Sequence, residues 1–215
     1  MEQAQIADLL SPFLPDILPD IPQSLAASLF PYLELLRKWN KRTNLTAVRE
    51  PEEIVTRHFG ESLFAARHLF PAGNLTPVET VADVGSGAGF PGIPIRLWAP
   101  ALQVTLIESH HKKATFLREA IRALELTGIE VQAGRAERIA RTFSVVTFRA
   151  VERFDEILIT AASLVDPGGR LGLLISDGQI AGTRAMLRAF QWDEPHEIPQ
   201  SARRFLFVGK KGSGT

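Results

Sequence analysis

The residues best placed for chemistry lie in one short stretch, Val81-Ala-Asp-Val-Gly-Ser-Gly-Ala-Gly-Phe-Pro-Gly92. Asp83 falls within an apolar run, Gly85, Gly87 and Gly89 then alternate, and a helical segment follows. Glycine lets a backbone turn sharply and approach a ligand where a Cβ would collide. Such a turn after a first parallel strand is where open α/β sheets bind ligands. Glu108 closes the next apolar run, about twenty residues beyond the loop, where an acid takes the hydroxyls of a ribose. Together these residues predict a ligand that contains a nucleoside. Two phosphate-bearing ligands are excluded by the loop itself. The dinucleotide fingerprint needs glycine at the third position of Gly-x-Gly-x-x-Gly, and Phe90 stands there. A P-loop needs Gly-Lys-Ser/Thr, and none follows.

The spacing Asp83-x-Gly85-x-Gly87-x-Gly89 resembles the first motif of S-adenosylmethionine methyltransferases. That ligand carries no phosphate, and a carboxylate such as Asp83 suits the ammonium of its methionine portion. A second segment, Gly134-Arg-Ala-Glu137, follows the third apolar run. In this class the corresponding loop lies along the adenine, so backbone groups of Ala136 and Glu137 are expected at the base edge. Arg149 comes after the fourth run. As a cation it does not belong on a cationic sulfonium, and it is expected to pair with a carboxylate or phosphate or to stack on a base. An ion pair with Glu108 or Glu137 is the structural alternative.

These residues need strands that end at one edge. Thr80–Gly85, Gln103–Glu108, Ile129–Ala133, Ser144–Phe148 and Arg170–Ser176 read as strands, with helices over Ile93–Trp98, His110–Leu126, Arg153–Val165 and Gln179–Phe190. Alternation of this kind predicts a doubly wound α/β fold with a mainly parallel sheet. A loop around Pro195–Pro199 and a late run Arg204–Val208, with no helix between the last β segments, predict an antiparallel edge strand. Residues 1–75 read as a helical extension. Ser24–Asn40 repeats Leu25, Leu29, Tyr32, Leu33, Leu36 and Trp39 near a helical period. Pro51-Glu52-Glu53 opens another helix, with proline and acids in the first turn. Residues 71–77 read as a linker, 76–211 as the nucleoside-binding domain, and 212–215 as a tail.

The 215 residues include no cysteine, which excludes disulfides, thiolate metal sites and cysteine nucleophiles, and no metal site is expected. The N-terminus lacks the apolar run of a signal peptide, and no stretch is long and apolar enough to span a bilayer. A monomeric cytoplasmic protein is expected. Lys+Arg and Asp+Glu are both 24, so net charge alone does not favour a nucleic-acid partner. Basic residues do crowd two stretches, Arg37–Arg57 and Arg203–Lys211.

The longer segments resemble one family. Trp39-Asn-Lys-Arg-Thr-Asn-Leu-Thr-Ala-Val-Arg49, Arg57-His58 with Ser62-Leu63, the extended loop Asp83 to Pro94, and Phe148-Arg-Ala150 are similar to ribosomal RNA small subunit methyltransferase G, also called glucose-inhibited division protein B. The resemblance runs from about Leu33 to Lys211. It implies methylation of guanine N7 in 16S ribosomal RNA near the decoding region, with cofactor contacts at Gly85, Phe90, Ala136, Glu137 and Arg149. In that light Lys38, Lys41, Arg42, Arg57, His58, Arg203 and Arg204 are the expected RNA contacts. Two positions depart from the family's usual pattern: Glu61 replaces an aspartate, and Asp177 precedes Gly178 where a lysine is common. Guanine N7 carries an in-plane lone pair and no proton, so no general base is required and no dedicated catalytic residue is expected beyond Arg149. Methylation through a cysteine adduct is excluded. Amine methylation is disfavoured because Thr147-Phe-Arg-Ala150 replaces the Asn/Asp-Pro-Pro-aromatic motif. The alternative reading keeps the cofactor and changes the acceptor to another RNA, a protein or a small molecule.

Overall fold

Short apolar runs separated by helical segments can bury both faces only in a sheet covered on each side. The computed structural model describes residues 1–15, 23–71, 79–149 and 154–213 and shows that arrangement. Strands β1 (Thr80–Val84), β2 (Gln103–Glu108), β3 (Ile129–Ala133), β4 (Phe143–Arg149) and β5 (Val165–Ser176) are parallel neighbours in the order 3-2-1-4-5. The later strands are β6 (Phe190–Trp192), β7 (His196–Glu197) and β8 (Arg204–Lys211). β8 lies antiparallel to β5, and β6 and β7 each pair with β8. The expected antiparallel pair is therefore present, with the last strand inside the sheet and β6 at its edge.

Helices α1 (Gln3–Leu10), α2 (Gln23–Asn40), α3 (Pro51–Ile54) and α4 (Glu61–Leu69) make the extension. Helices α5 (Gly92–Trp98), α6 (His111–Ala123), α7 (Phe154–Ser163) and α8 (Asp177–Met186) follow the strands. The expected linker at 71–77 lies, beyond Pro71, outside the described residues. α3 and α4 are one rod joined by a π-helical turn, Val55–Gly60. Several bounds differ from the sequence reading for local reasons. β5 begins five residues early because Phe143 pairs with Val165 before the register jumps to Val145 and Arg170, so the Asp-Pro-Gly-Gly segment bulges from the pairing. α8 begins two residues early because Ser176 and Gln179 form a capping box. It also ends four residues early, freeing Phe190 for β6.

The apolar core is continuous across the two parts of the chain. Leu29, Tyr32, Leu36, Phe59 and Leu63 of the extension join Val81, Phe90, Ile93, Leu106 and Leu206 of the sheet domain in one cluster. The helical period of α2 thus buries its apolar face directly against the nucleoside-binding half.

Candidate active site

β1 ends in the glycine loop, and its geometry follows from backbone needs. Gly87 and Gly89 adopt φ of 56° and 91°, a region costly for residues with a Cβ. A Cβ on Gly89 would also fall 2.5 Å from the Tyr32 hydroxyl. The N–H groups of Gly85 and Ser86 donate to the Ile107 carbonyl at 2.9 and 3.1 Å, tying the loop to β2. Asp83 is fully buried beneath it. Its carboxylate accepts from the Gly92 N–H at 3.1 Å and the Thr147 hydroxyl at 3.4 Å. Burial pushes its pKa up to about 7. The sequence reading that gave this carboxylate to a ligand ammonium is therefore corrected: Asp83 serves the backbone of its own loop and has no open surface.

Glu108, at the end of β2, accepts from the Gly87 N–H at 2.8 Å and the His110 N–H at 2.6 Å. Each oxygen keeps a second lone pair, so the group remains able to take a diol. On one side of it lies a hollow of about 200 Å³ lined by Val84, Gly85, Ile107, Ala136, Glu137 and Ile157. Ala136–Arg138 form a single 3-10 turn after β3, and Ala136 and Glu137 of that turn line the hollow. On the other side lies a cleft of about 670 Å³ that shares Gly85, Ser109 and Ile157 with the hollow. The cleft reaches Phe90, Arg57, His58, Arg149 and Arg204. Every expected cofactor residue except Asp83 and Gly89 lines one of these two spaces.

The structure brings His58 to the loop. Its ring stacks on Phe90 with centroids 4.8 Å apart, and Nε2 lies 2.7 Å from the Thr46 hydroxyl. Burial, with Arg149 and Arg57 nearby, pushes its pKa well below the usual histidine range, so the ring is neutral. Phe90 also stacks on Tyr32 at 5.5 Å, and the Tyr32 hydroxyl donates to the Ala88 carbonyl at 2.5 Å. The extension therefore grips the glycine loop.

Arg149 pairs with neither Glu108 nor Glu137. Its guanidinium meets Glu61 at 3.3 Å, and Arg204 pairs with the other oxygen of the same carboxylate. Burial lowers the Arg149 pKa to about 10, which leaves it charged. Burial also raises Glu61, with Arg149 and Arg204 pulling it back. Among the described residues, the buried side-chain atoms without a hydrogen-bond partner are His58 Nδ1, Glu61 Oε2, Arg149 Nη1 and Arg204 Nε. All four sit in this one cluster beside the cleft. Buried polar atoms left without a protein partner call for water or a ligand to complete them.

The basic stretches disperse. Lys38, Lys41 and Arg42 are exposed and make no ion pair among the described residues. Arg37 pairs with Glu34 and Arg57 with Glu53. Arg203 pairs with Asp177 on the surface, and Lys211 donates to the carbonyls of Ala162 and Val165. The sequence reading did not single out Asn40 and Thr46, whose available signal is the dense Asn-x-x-x-Asn-Leu-Thr segment itself, and it gave Glu61 no role.

A glycine loop and a ribose-facing acid on a 3-2-1-4-5 sheet with an antiparallel last strand define a methyltransferase of the S-adenosylmethionine-dependent class. Solved structures share the fold. A magnesium protoporphyrin IX methyltransferase from Synechocystis PCC 6803 with bound S-adenosylmethionine superposes with TM-score 0.64 at 17% identity, covering 84% of this chain and 97% of that one. The fibrillarin pre-rRNA processing protein of Methanococcus jannaschii gives 0.56 at 20% identity, over 71% and 75% of the two chains. The family model for rRNA small subunit methyltransferase G matches residues 26–193. A relative of that name from Xanthomonas axonopodis is 46% identical over 69% of this chain and 68% of its own. One from Dichelobacter nodosus is 39% identical over 90% of both. The chain belongs to the rRNA small subunit methyltransferase G family.

Proposed function

We propose that this enzyme methylates N7 of a guanine near the decoding region of 16S ribosomal RNA, acting as a cytoplasmic monomer. Bound S-adenosylmethionine supplies the electrophilic methyl group. The residues present fit that cofactor: the Glu108 carboxylate matches a vicinal diol, Val84, Ile107 and Ile157 offer apolar contact to a purine, and Ala136 and Glu137 border it. Gly85, Gly87 and Phe90 form the floor of the methionine side, and Gly89 sets the turn behind it. The acceptor base enters over Phe90, between the glycine loop and the wall made by Leu45–Val48 and His58.

The observation that carries the N7 reading is that each acid beside this cleft already holds a cation or a backbone N–H, and that His58 Nε2 already meets a hydroxyl. Glu108 accepts backbone N–H groups, Glu53 pairs with Arg57, Glu61 holds two arginines, and His58 meets Thr46. An acceptor that must lose a proton needs a positioned base. Guanine N7 does not; it needs only alignment with the methyl group. Arg57, Arg149 and Arg204 make the cleft wall cationic, suited to the phosphates that flank a target nucleotide. Lys38, Lys41, Arg42 and Arg203 extend positive charge over the outer surface, with His58 at the base itself. Among the described residues no helix is long and apolar enough to cross a membrane.

The test is methylation of small ribosomal subunits from a strain lacking the gene, with labelled S-adenosylmethionine and mapping of the modified base. A single 7-methylguanine in the decoding region is expected. Label in another base, or in ribosomal protein, overturns the proposal.

A further inference from the structure

Residues 41–49 form no helix or strand, yet they build the wall that faces Phe90. What shapes them is one side chain. Asn40, the last residue of α2, is buried, and its amide meets the backbone of that loop at four points. Oδ1 accepts from the N–H groups of Leu45 at 2.9 Å and Thr46 at 3.1 Å. Nδ2 donates to the carbonyls of Thr46 at 3.0 Å and Val48 at 3.3 Å. A primary amide has two donors and two acceptor sites, so its capacity is fully spent on this loop. The Asn40 carbonyl in turn accepts from Arg49 at 2.9 Å, closing the far end.

The loop passes this order to the cleft through Thr46. The Val48 N–H donates to the Thr46 hydroxyl at 3.1 Å, which leaves the hydroxyl proton available for His58 Nε2 at 2.7 Å. His58 lies flat on Phe90. The glycine loop has separate supports in Asp83, Glu108 and Tyr32. We infer that Asn40 is a positioning residue for the acceptor base, fixing the Leu45–Val48 wall and the His58 ring through Thr46 without touching the cofactor. The inference rests on the reading above that the acceptor base enters between this wall and Phe90.

Leu45 and Val48 stay buried by their own apolar side chains, so the loop remains attached when the amide is removed. Asn40→Ala and Asn40→Asp are both informative. Asp keeps the acceptors but turns a carboxylate toward two carbonyls. For each variant kcat on small ribosomal subunits is expected to fall at least about tenfold, the size of loss a small misplacement brings. S-adenosylmethionine affinity by calorimetry is expected to stay within about twofold, as for independent sites. Thr46→Val is expected to reproduce part of the kcat loss, Thr46→Ser to retain activity, and Asn40→Ala/Thr46→Val to be no worse than Asn40→Ala alone. NMR titration of the His58 ring supplies a readout without RNA: in Asn40→Ala its pKa is expected to move up toward the ordinary histidine range. Unchanged kcat, or a parallel loss of cofactor affinity and melting temperature, overturns the inference. A wild-type enzyme that leaves the 16S guanine unmodified while Asn40→Ala moves the His58 titration overturns the choice of acceptor instead and leaves the Asn40–Thr46–His58 link standing.

Discussion

Glu108 and Glu61 are both buried acids with two partners, and they differ in what those partners are. Glu108 holds backbone N–H groups and keeps lone pairs for a ligand. Glu108→Ala is expected to weaken S-adenosylmethionine binding by about 1.5–3 kcal/mol, the range for hydrogen bonds to a charged group. Calorimetry checks this, and unchanged affinity makes Glu108 a loop anchor only. Glu61 holds two arginines in place of solvent. Glu61→Gln leaves both guanidiniums without a counter-charge, and a loss of about 3–5 kcal/mol in urea unfolding is expected. The two acids were not equally legible in the sequence. Glu108 announced itself by ending an apolar run at a fixed distance from the glycine loop. Glu61 meets Arg149 and Arg204 from far along the chain, and no spacing rule connects those three positions. Asp83 was legible as a loop residue and misread as a ligand contact, because the sequence does not say which side of a strand's end is closed.

At the scale of elements, the order of strands and helices was legible because periods of two and about 3.6 are written locally. In sequence β7 reads as loop because of its flanking prolines, Pro195 and Pro199; it exists because β8 offers it an edge. The π-helical turn in Val55–Gly60 has no pattern of its own; it carries Arg57 and His58 toward the cleft while α3 and α4 continue in line. The extension reads as an added helical layer, but α2 reaches into the cofactor loop through Tyr32. Tyr32→Phe keeps the ring stack and deletes only the hydrogen bond to Ala88. Cofactor affinity is expected to fall by about 0.5–1.5 kcal/mol, the net worth of one such bond, with little change in helix content by circular dichroism. An unaltered affinity would confine the extension to the acceptor side.

For the whole molecule, zero net charge means that RNA affinity comes from where the charges sit. Lys38, Lys41 and Arg42 are exposed and available to phosphates. Replacing the three with alanine is expected to raise KM for the small subunit and to flatten its salt dependence, since fewer counterions are released. S-adenosylmethionine affinity is expected to hold; a triple variant that matches the wild type at every salt concentration moves the RNA surface elsewhere. Stability carries a pH signature from Asp83. Its pKa is raised from 3.8 to about 7 in the fold, so its contribution is full below pH 3.8, declines as pH rises to about 7, and is level above that. Asp83→Asn keeps an acceptor for the Gly92 N–H and removes the titration. The stability difference between variant and wild type is expected to shift in favour of the variant from pH 4 to pH 7 and then stop, as read by denaturant unfolding across that range.

β8 sits between β5 and β6, so the last of the described strands in chain order fills the interior of the sheet. During synthesis β5 has no partner on that side until residues 204–211 have emerged. Unpaired strand edges invite association with other chains. Arg204 opens β8 and is also the second counter-charge for Glu61. The helical extension therefore carries a buried acid that meets Arg149 first and gains its second counter-charge only once residue 204 has been made. A nascent chain stopped before Arg204 would combine an open sheet edge with an underpaired carboxylate, making it a substrate for chaperones and proteases rather than a partly active enzyme.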